Sequence, residues 1–497
     1  MPTPTDLANY VRCAHRVFLD RAGDTAERLP PSAFAELLWA GGRRHEDAII
    51  AGLNLETVEH DRPLAERLET TQLLMARGVS AIYHGALAVN NMVGEPDLLL
   101  RTDTLVSQFG AYGYMPADVK SGNAFTDAKK SKPKPAYAVQ LCAYAELLEA
   151  TQGARPLFGQ IIDKDGAWQT YDLTAFWPEY ERVRDECAAL LAGSRASNPA
   201  WQGACTACAW QKHCWKQLVD ADDVTTVDGV GASYRERLIQ IGVRTASELA
   251  VADPASLVAV KGIKLARAEQ WTRKARVQKS GSPLLLAPWT APVVDFEVSY
   301  DIEDFSIDPF VYLHGLLIRP QSAPAFGTSA FRDEHFGTFE PVCATAPETE
   351  EEVWRAFLQK VEEIDARGRY VVYVYSHHER STLRRLAALY GGSEALETFM
   401  KAFVDLEKAM KRSVVMPTDS SSLKAFARYA GFEWRDDDPG GAQSLAWWND
   451  YWTDPSTNAA LRERVLRYNE DDVRASFVVK DWLIGFCAAS APTPATV

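Results

Sequence analysis

Three thiols fall within ten residues of one another, in Cys205-Thr-Ala-Cys208-Ala-Trp-Gln-Lys-His-Cys214, although the whole 497-residue chain has only eight cysteines. Eight cysteines in so long a chain do not make a disulfide framework, and a tight cluster of them reads as a metal or cluster site. Three thiolates this close converge on one centre once a short loop folds around it, and a fourth ligand must come from elsewhere. Cys13, in Tyr10-Val-Arg-Cys13, is one candidate and His213 is another. A four-thiolate set suits an iron–sulfur cluster, while zinc accepts either set. A centre joining residue 13 to residue 205 closes a long loop and clamps the two ends of one block, so its expected role is structural. Cys142, inside an amphipathic helix, fits core packing, and Cys187, Cys343 and Cys487 read as buried or incidental.

The rest of the chain divides into blocks around that clamp. At about 150 residues per domain, the length predicts roughly three. Residues 1–222 mix helical periodicity (Ser32–Ala51, Leu64–Arg77, Tyr137–Ala150, Thr174–Ala192) with strand-like runs at Asp97–Arg101, Tyr112–Val119 and Leu157–Ile162, which predicts an α/β core. Residues 223–280 carry Gly-containing turns between short helices. Ser280-Gly-Ser-Pro is a linker signal. Residues 285–487 return to α/β, with strands expected at Val293–Ile302, Val311–Ile318 and Tyr370–Tyr375, and helices at Glu348–Ile364, Ser381–Leu389 and Asp471–Phe486. Residues 488–497, small and Pro-containing, are expected to be a disordered tail. The best apolar stretch, Ala475–Ala491, is interrupted by Lys480 and Asp481, so no membrane span is expected. Met1–Leu19 lacks the pattern of a secretory signal, which makes the cytoplasm the expected location.

The first block holds an ordered set of polar residues: His45, Asp97, Asp118-Val-Lys120, then Gln140 and Tyr144 at i and i+4 on one helix face. An Asp-x-Lys at a strand end presents both side chains on one face, because the strand period is two. Two carboxylates from neighbouring strands suit a hard divalent cation, and a lysine beside them offsets charge developing on a phosphoryl oxygen. Bracketed by Cys13 and the C-x2-C-x5-C segment, this set resembles RecB-type nucleases of the PD-(D/E)xK superfamily, in the branch with an iron–sulfur staple that includes AddB and the CRISPR-associated iron–sulfur exonucleases. The resemblance implies a restriction-endonuclease-like fold and metal-dependent DNA cleavage. It implies His45, Asp97 and Asp118 as ligands of Mg2+ or Mn2+, Lys120 as catalytic lysine, and Gln140 and Tyr144 as positioners of the phosphate backbone. It also implies a 4Fe-4S cluster on Cys13, Cys205, Cys208 and Cys214.

The middle block resembles tandem helix–hairpin–helix motifs, at Val227–Leu249 and Leu257–Ala275, a small all-α domain. Such Gly turns let backbone N–H groups approach phosphates without reading bases. Arg235, Lys261, Lys264 and Arg267 are the expected phosphate contacts. Between Asp228 and Lys279 there are ten Lys/Arg and five Asp/Glu, a local +5 inside a chain whose net charge is −14. The acidic total is therefore no argument against a polyanionic partner; it averages over blocks of unlike charge.

The third block places Tyr300-Asp301-Ile-Glu303 on its first strand, Tyr375-Ser-His-His-Glu379 at the start of a helix, and Tyr468-Asn-Glu-Asp-Asp472 on a late helix. A D-x-E on a strand offers two carboxylates on one face, and later acids complete a two-metal cage suited to phosphodiester hydrolysis. The pattern resembles DnaQ-like exonucleases of the RNase H fold in their Y-x3-D variant. Val311-Tyr-Leu-His-Gly315, Ser422-Leu-Lys-Ala-Phe, Gly431-Phe-Glu-Trp434 and Tyr468–Val473 further resemble the YprB-type domain that follows a RecB-type nuclease in predicted bacterial proteins. The resemblance implies Asp301, Glu303, Glu379 and Asp472 as metal ligands and Tyr468 as a holder of the attacking water. Glu379 stands where such enzymes usually have Asp. A second D-x-E, Asp295/Glu297, is set aside because the following strand is better spaced from Asp301/Glu303, and Asp405 reads as structural.

Together these features predict an α/β multidomain, metal-dependent DNA nuclease, an exonuclease on single-stranded or end-containing DNA serving repair, processing or defence. The alternatives are a nucleic-acid-binding scaffold with one or both sites inactive, and an RNA exonuclease. No Gly-x4-Gly-Lys-Ser/Thr occurs, so unwinding requires a helicase in trans.

Overall fold

The structure is a computed structural model that describes residues 2–305, 310–345, 348–437 and 440–490. Two compact units emerge: one from Met1–Pro31, Ala35–Pro199 and Gly203–Lys216, the other from Ser32–Phe34, Ala200–Gln202 and Gln217 onward. The middle block thus packs with the third block in a single unit.

The first unit is built on a sheet of β1 (Glu56–Thr57), β2 (Ala81–Tyr83), β3 (Leu98–Thr102), β4 (Gly113–Val119), β5 (Phe158–Ile162) and β6 (Trp168–Asp172), in that spatial order. Strands β4 and β5 are parallel, so they need a crossover, and helix Pro135–Gln152 supplies it. Pro135 opens that helix and Gly153 closes it in the left-handed region at φ 70°. The helix is apolar nearly all round, and Val139, Leu141, Ala143 and Leu148 are fully buried, as a helix enclosed in a core must be.

In the second unit, helices Ala232–Gln240 and Leu265–Ser280 each follow a turn whose glycine has a left-handed backbone, Gly229 at φ 89° and Gly262 at φ 90°. Leu238, Leu249, Leu257 and Trp271 fill the space between the helices. The α/β part has β7 (Phe296–Phe305), β8 (Phe310–Pro320), β9 (Thr338–Phe339), β10 (Val342–Cys343), β11 (Tyr370–Val374) and β12 (Phe403–Asp405). Their order is β9-β8-β7-β11-β12, with β10 also on β8. The β7–β8 pair is antiparallel, whereas β7–β11 and β11–β12 are parallel. Helix Ala459–Ser490 packs on β7 and β8 and is far longer than the expected Asp471–Phe486. Residues 488–490 of the expected tail continue it, and 491–497 lie outside the described residues. Among the described residues, no helix is long and apolar enough to cross a membrane.

Two polar groups in this core explain its sequence. Glu297 on β7 is buried against Arg319 at 3.1 Å and Lys480 at 2.8 Å, and Asp481 holds the other side of Arg319 at 2.8 Å. Lys480 and Asp481, which interrupt the apolar stretch, are thus parts of one buried ion network. His314 on β8 is fully buried, stacks on Phe357 at 4.1 Å and meets Tyr300 Oη through Nδ1 at 2.8 Å. Burial pushes its pKa down to about 3, against about 6.5 in an unfolded chain. The unfolded state therefore takes up the proton first as pH falls below about 6.5, and stability drops by roughly 1.4 kcal/mol per pH unit from this group. Urea midpoints at pH 6.5 and 4.5 should show that loss in the wild type and a correspondingly shallower acid limb in His314→Gln. Equal slopes in the two proteins would contradict it.

Candidate active site

Strand β7 carries Asp301 and Glu303 on one face, as the period of two requires. Helix Ala459–Ser490 brings Asp472 to them across the sheet. One oxygen from each of these three carboxylates lies within 4.8 Å of the others. Burial, then the neighbouring acids, push Glu303 up to about 8, hold Asp301 well above the ordinary carboxylate range, and raise Asp472. Uncompensated acids at this spacing repel, and a divalent cation is what such an all-oxygen donor set accommodates. Glu379 opens helix His378–Tyr390 and is buried, and its Oε2 has no hydrogen-bond partner among the described residues. Burial lifts it to about 7. It acts electrostatically on Asp301 but lies outside the close group of three.

Four further side chains, Lys424, Trp434, Ser444 and Asn469, surround the carboxylates. Lys424 Nζ donates to Tyr468 Oη at 2.8 Å, and its charge opposes the upward shifts of Asp301, Glu303 and Asp472. Asn469 Nδ2 donates to Asp301 Oδ2 at 2.8 Å, Ser444 Oγ to Glu303 Oε2 at 3.2 Å, and Trp434 Nε1 to Asp472 Oδ1 at 2.7 Å. The segments Ser422–Phe426 and Gly431–Trp434 already signalled two of these, Lys424 and Trp434. The choice between the two D-x-E runs is also visible here: Asp295 is exposed against Arg369 and Glu297 is consumed by its ion network. Asp405 caps helix Leu406–Ser413 through Lys408 N at 3.0 Å, a structural use.

In the first unit, Asp97 and Asp118 come together from adjacent strand ends. Asp97 Oδ2 accepts from Val119 N at 2.7 Å, and the Asp97 N–H approaches Asp118 Oδ1 at 3.3 Å. Lys120 Nζ lies 2.8 Å from Asp118 Oδ2, while its N–H extends the sheet to Ile162 O at 2.8 Å. Burial and Asp118 push Asp97 up to about 8. Burial opposes the Lys120 charge, but Asp118 and Asp97 outweigh it and hold the ammonium protonated.

Tyr144 lies in the field of both acids, and Gln140 Nε2 donates to its hydroxyl at 3.2 Å. Both side chains are buried, 9% and 4% exposed, with Tyr144 as the one that feels the carboxylates. His45 is turned aside: its Nε2 lies 3.0 Å from the Asp163 carbonyl. The adjacent Glu46, held by the Tyr83 hydroxyl at 2.9 Å, is the acid whose charge reaches Asp97 and Lys120. Sequence reasoning passed over it because the preceding His fitted the expected motif.

The four cysteines also converge. Burial pushes the Cys214 thiol up to about 12, and Cys208, Cys13 and Cys205 all add to that shift. His213 faces Glu27 at 3.6 Å, which leaves Cys13 as the better fourth member. Cys142, Cys187 and Cys487 are buried.

The four middle-block cations divide in two. Arg235 is committed to buried Asp223 at 2.7 Å, and Arg267 donates to Tyr234 Oη at 2.6 Å and to the Gly262 carbonyl at 3.2 Å. These two brace the helices. Lys261 and Lys264 are exposed beside the second turn.

Residues 301–484 match the RNase H superfamily, and residues 221–276 match the SAM-like helix–hairpin–helix tandem. No curated protein matches the chain. The chain therefore carries an RNase H superfamily domain and a tandem helix–hairpin–helix domain in a mixed α/β multidomain protein. These domains indicate binding and processing of nucleic acid, and the first implies phosphodiester hydrolysis, typically dependent on divalent metal.

Proposed function

We propose that the protein is a Mg2+- or Mn2+-dependent nuclease that degrades DNA from single-stranded or free ends, with its best-supported site in the RNase H-like domain. The observation that carries this reading is the group of Asp301, Glu303 and Asp472, mutually within 4.8 Å, in a domain of that superfamily. Two divalent ions at such a site activate water and stabilise the leaving oxygen of a phosphodiester. The chain's own residues do the rest. Asp301, Glu303 and Asp472 hold the cations, with Glu379 within electrostatic reach of Asp301. Asn469 and Ser444 fix the orientation of the first two carboxylates. Tyr468, held by Lys424, orients the water.

The same reading extends to the first unit. Asp97 and Asp118 are a second cation-binding pair with Lys120 offsetting charge on the phosphoryl oxygen, in a PD-(D/E)xK-type domain. Cys13, Cys205, Cys208 and Cys214 fit a 4Fe-4S staple, since four partly buried thiols gather there from two distant segments. A second reading, RNA degradation, stands on the RNase H fold itself, which accepts either polymer.

The test uses end-labelled single-stranded DNA and RNA with Mg2+ or Mn2+. Wild type should shorten DNA. Asp301→Asn should leave only the cleavage that depends on Lys120, and Asp301→Asn/Lys120→Ala should cut neither polymer. Undiminished cutting by the double variant, or none by wild type, would sink the nuclease reading. Purified anaerobically, the protein should be brown, and Cys208→Ser should be colourless.

A further inference from the structure

Helix Leu265–Ser280 and the segment before Ser422 enclose a cavity of about 270 Å3 within the second unit. Gln270, Arg273 and Lys274 line it from the helix, and Lys411, Ser420 and Ser421 line it from the α/β part. Its charged groups are three cations and one carboxylate, Asp228. Asp228 sits in the first Gly-containing turn, and its Oδ2 joins Lys274 Nζ at 2.6 Å to Ser421 Oγ at 2.9 Å. The turn is thereby pinned to the loop that leads, three residues on, to Lys424 of the candidate active site. Tyr375 Oη donates to the Ser421 carbonyl at 2.6 Å and fixes the same loop from the bend between β11 and Glu379. Arg273 makes no hydrogen bond or ion pair among the described residues, although it is only partly exposed.

We infer that this cavity is a subsite for the phosphodiester backbone of the strand being degraded, placed between the first helix–hairpin–helix turn and the RNase H-like carboxylates. The inference rests on the nucleic-acid reading above and adds a site to it. The lining combines three hydroxyls (Thr418, Ser420, Ser421) and two amides (Gln270, Gln278) with an apolar part that includes Val414, Met416 and Phe426. A guanidinium left without a partner among those hydroxyls and amides is matched to a phosphate, because Arg and Lys paired with hydroxyl donors are the groups that hold backbone oxygens. The volume lies at the lower limit of a pocket for a free small molecule, which suits one segment of a longer strand better than a cofactor. The cations that brace the helices, Arg235 and Arg267, are not available for this task. Arg273 is free for it, and Lys411, 52% exposed, exchanges its surface pair with Glu407 at 2.5 Å for a phosphate.

Binding is measured on the full chain with a fluorescent 12-nucleotide single strand, DNA or RNA, in EDTA so that nothing is cut. Arg273→Ala/Lys411→Ala should bind about tenfold more weakly. Its log–log salt dependence should be shallower by about 1.4, since each lost single-strand phosphate contact removes about 0.7. The charge-matched Arg355→Ala/Arg369→Ala, which removes two cations outside the cavity lining, should keep the wild-type slope. Arg273→Gln/Lys411→Gln should repeat the first result and guards against misfolding. An unchanged slope in both cavity variants, or no strand binding by wild type, overturns the inference. So does equal competition by inorganic phosphate at the same phosphate concentration, which would reassign the cavity to a free anion. Strand binding that depends on Arg273 without any Mn2+-dependent cutting would instead overturn the nuclease reading and leave the subsite standing.

Discussion

Asp301→Asn should raise the melting temperature of the metal-free protein at pH 8 while reducing cleavage at the RNase H-like site about a thousandfold or more. The two effects share one cause. Asp301, Glu303 and Asp472 are held within 4.8 Å of one another, burial raises all three pKa values, and the neighbouring acids raise Asp301 and Glu303 further. A carboxyl whose folded pKa lies above its unfolded value contributes stability below the unfolded pKa, about 4. That contribution is lost as pH rises through the folded value. For Glu303 the folded value is about 8. At pH 8 the metal-free site is therefore strained by charge. Asn at position 301 removes one of the repelling groups with no change in volume and keeps an oxygen for the Asn469 amide. A gain of about 1 kcal/mol corresponds to roughly 2–4 °C in a domain of this size. The gain should grow from pH 6 to pH 9, because more of the repulsion is developed at the higher pH.

Metal reverses the ranking. Mn2+ or Mg2+ binds the folded wild type and raises its melting temperature by mass action. Asp301→Asn should lose most of that rise, along with the charge that the transition state requires. Differential scanning fluorimetry across pH, with and without Mn2+, checks the stability half, and the end-labelled strand assay checks the other. A variant that is destabilised at pH 8 and still stabilised by Mn2+ would show that these carboxylates are not a cation site.

Local signals in the chain are strong where chemistry and periodicity coincide. The helix Leu64–Arg77 has the bounds its periodicity gives, and the three first-block strands lie within a residue of theirs. Asp301 with Glu303, Asp97 with Asp118 and Lys120, and the four cysteines are brought together as the motifs imply. What stayed hidden depends on partners far away in sequence. Asn469 carries no signal of its own between Tyr468 and Asp472, and its use becomes visible only when Asp301, 168 residues earlier, lies opposite. Glu46 is masked by His45, which fits the motif, and its effect on Asp97 and Lys120 shows only in the folded chain.

Helix Gly441–Thr453 went unpredicted because Trp447, Trp448, Tyr451 and Trp452 crowd it. Aromatic residues are weak helix formers, and this helix forms by packing onto the core. Arg235 and Arg267 show the opposite failure. A cation near a Gly turn has the composition of a phosphate contact, but a buried Asp223 and a tyrosine hydroxyl were closer claimants.

Gly315→Ala should cost about 2–4 kcal/mol and weaken Mn2+ binding at the RNase H-like site, although a β-strand ordinarily gains from losing a glycine. Gly315 on β8 lies directly across from Asp301 on β7. A Cβ built there would fall 1.6 Å from Asn469 Oδ1 and 2.7 Å from its Cγ. The strand tolerates only hydrogen at this position because the long helix sends the Asn469 amide over it to reach the Asp301 carboxylate. Alanine forces that side chain to move. The expected cost combines overpacking, about 1–3 kcal/mol, with loss of a buried hydrogen bond to a charged group, about 1.5–3 kcal/mol, less what the strand regains. The two residues must then be non-additive. In an Asn469→Ala background the added methyl no longer meets the amide that supplies its three nearest contacts, so the second substitution should cost under half of what it costs in the wild type. Urea denaturation of the four proteins of this cycle measures the coupling, and Mn2+ titration of the same set reads the site. If Gly315→Ala is as costly without Asn469 as with it, the glycine serves the strand and not the carboxylate. Asn469 would then be a helix residue that happens to touch Asp301, and the orientation of that carboxylate would have to come from the metal alone.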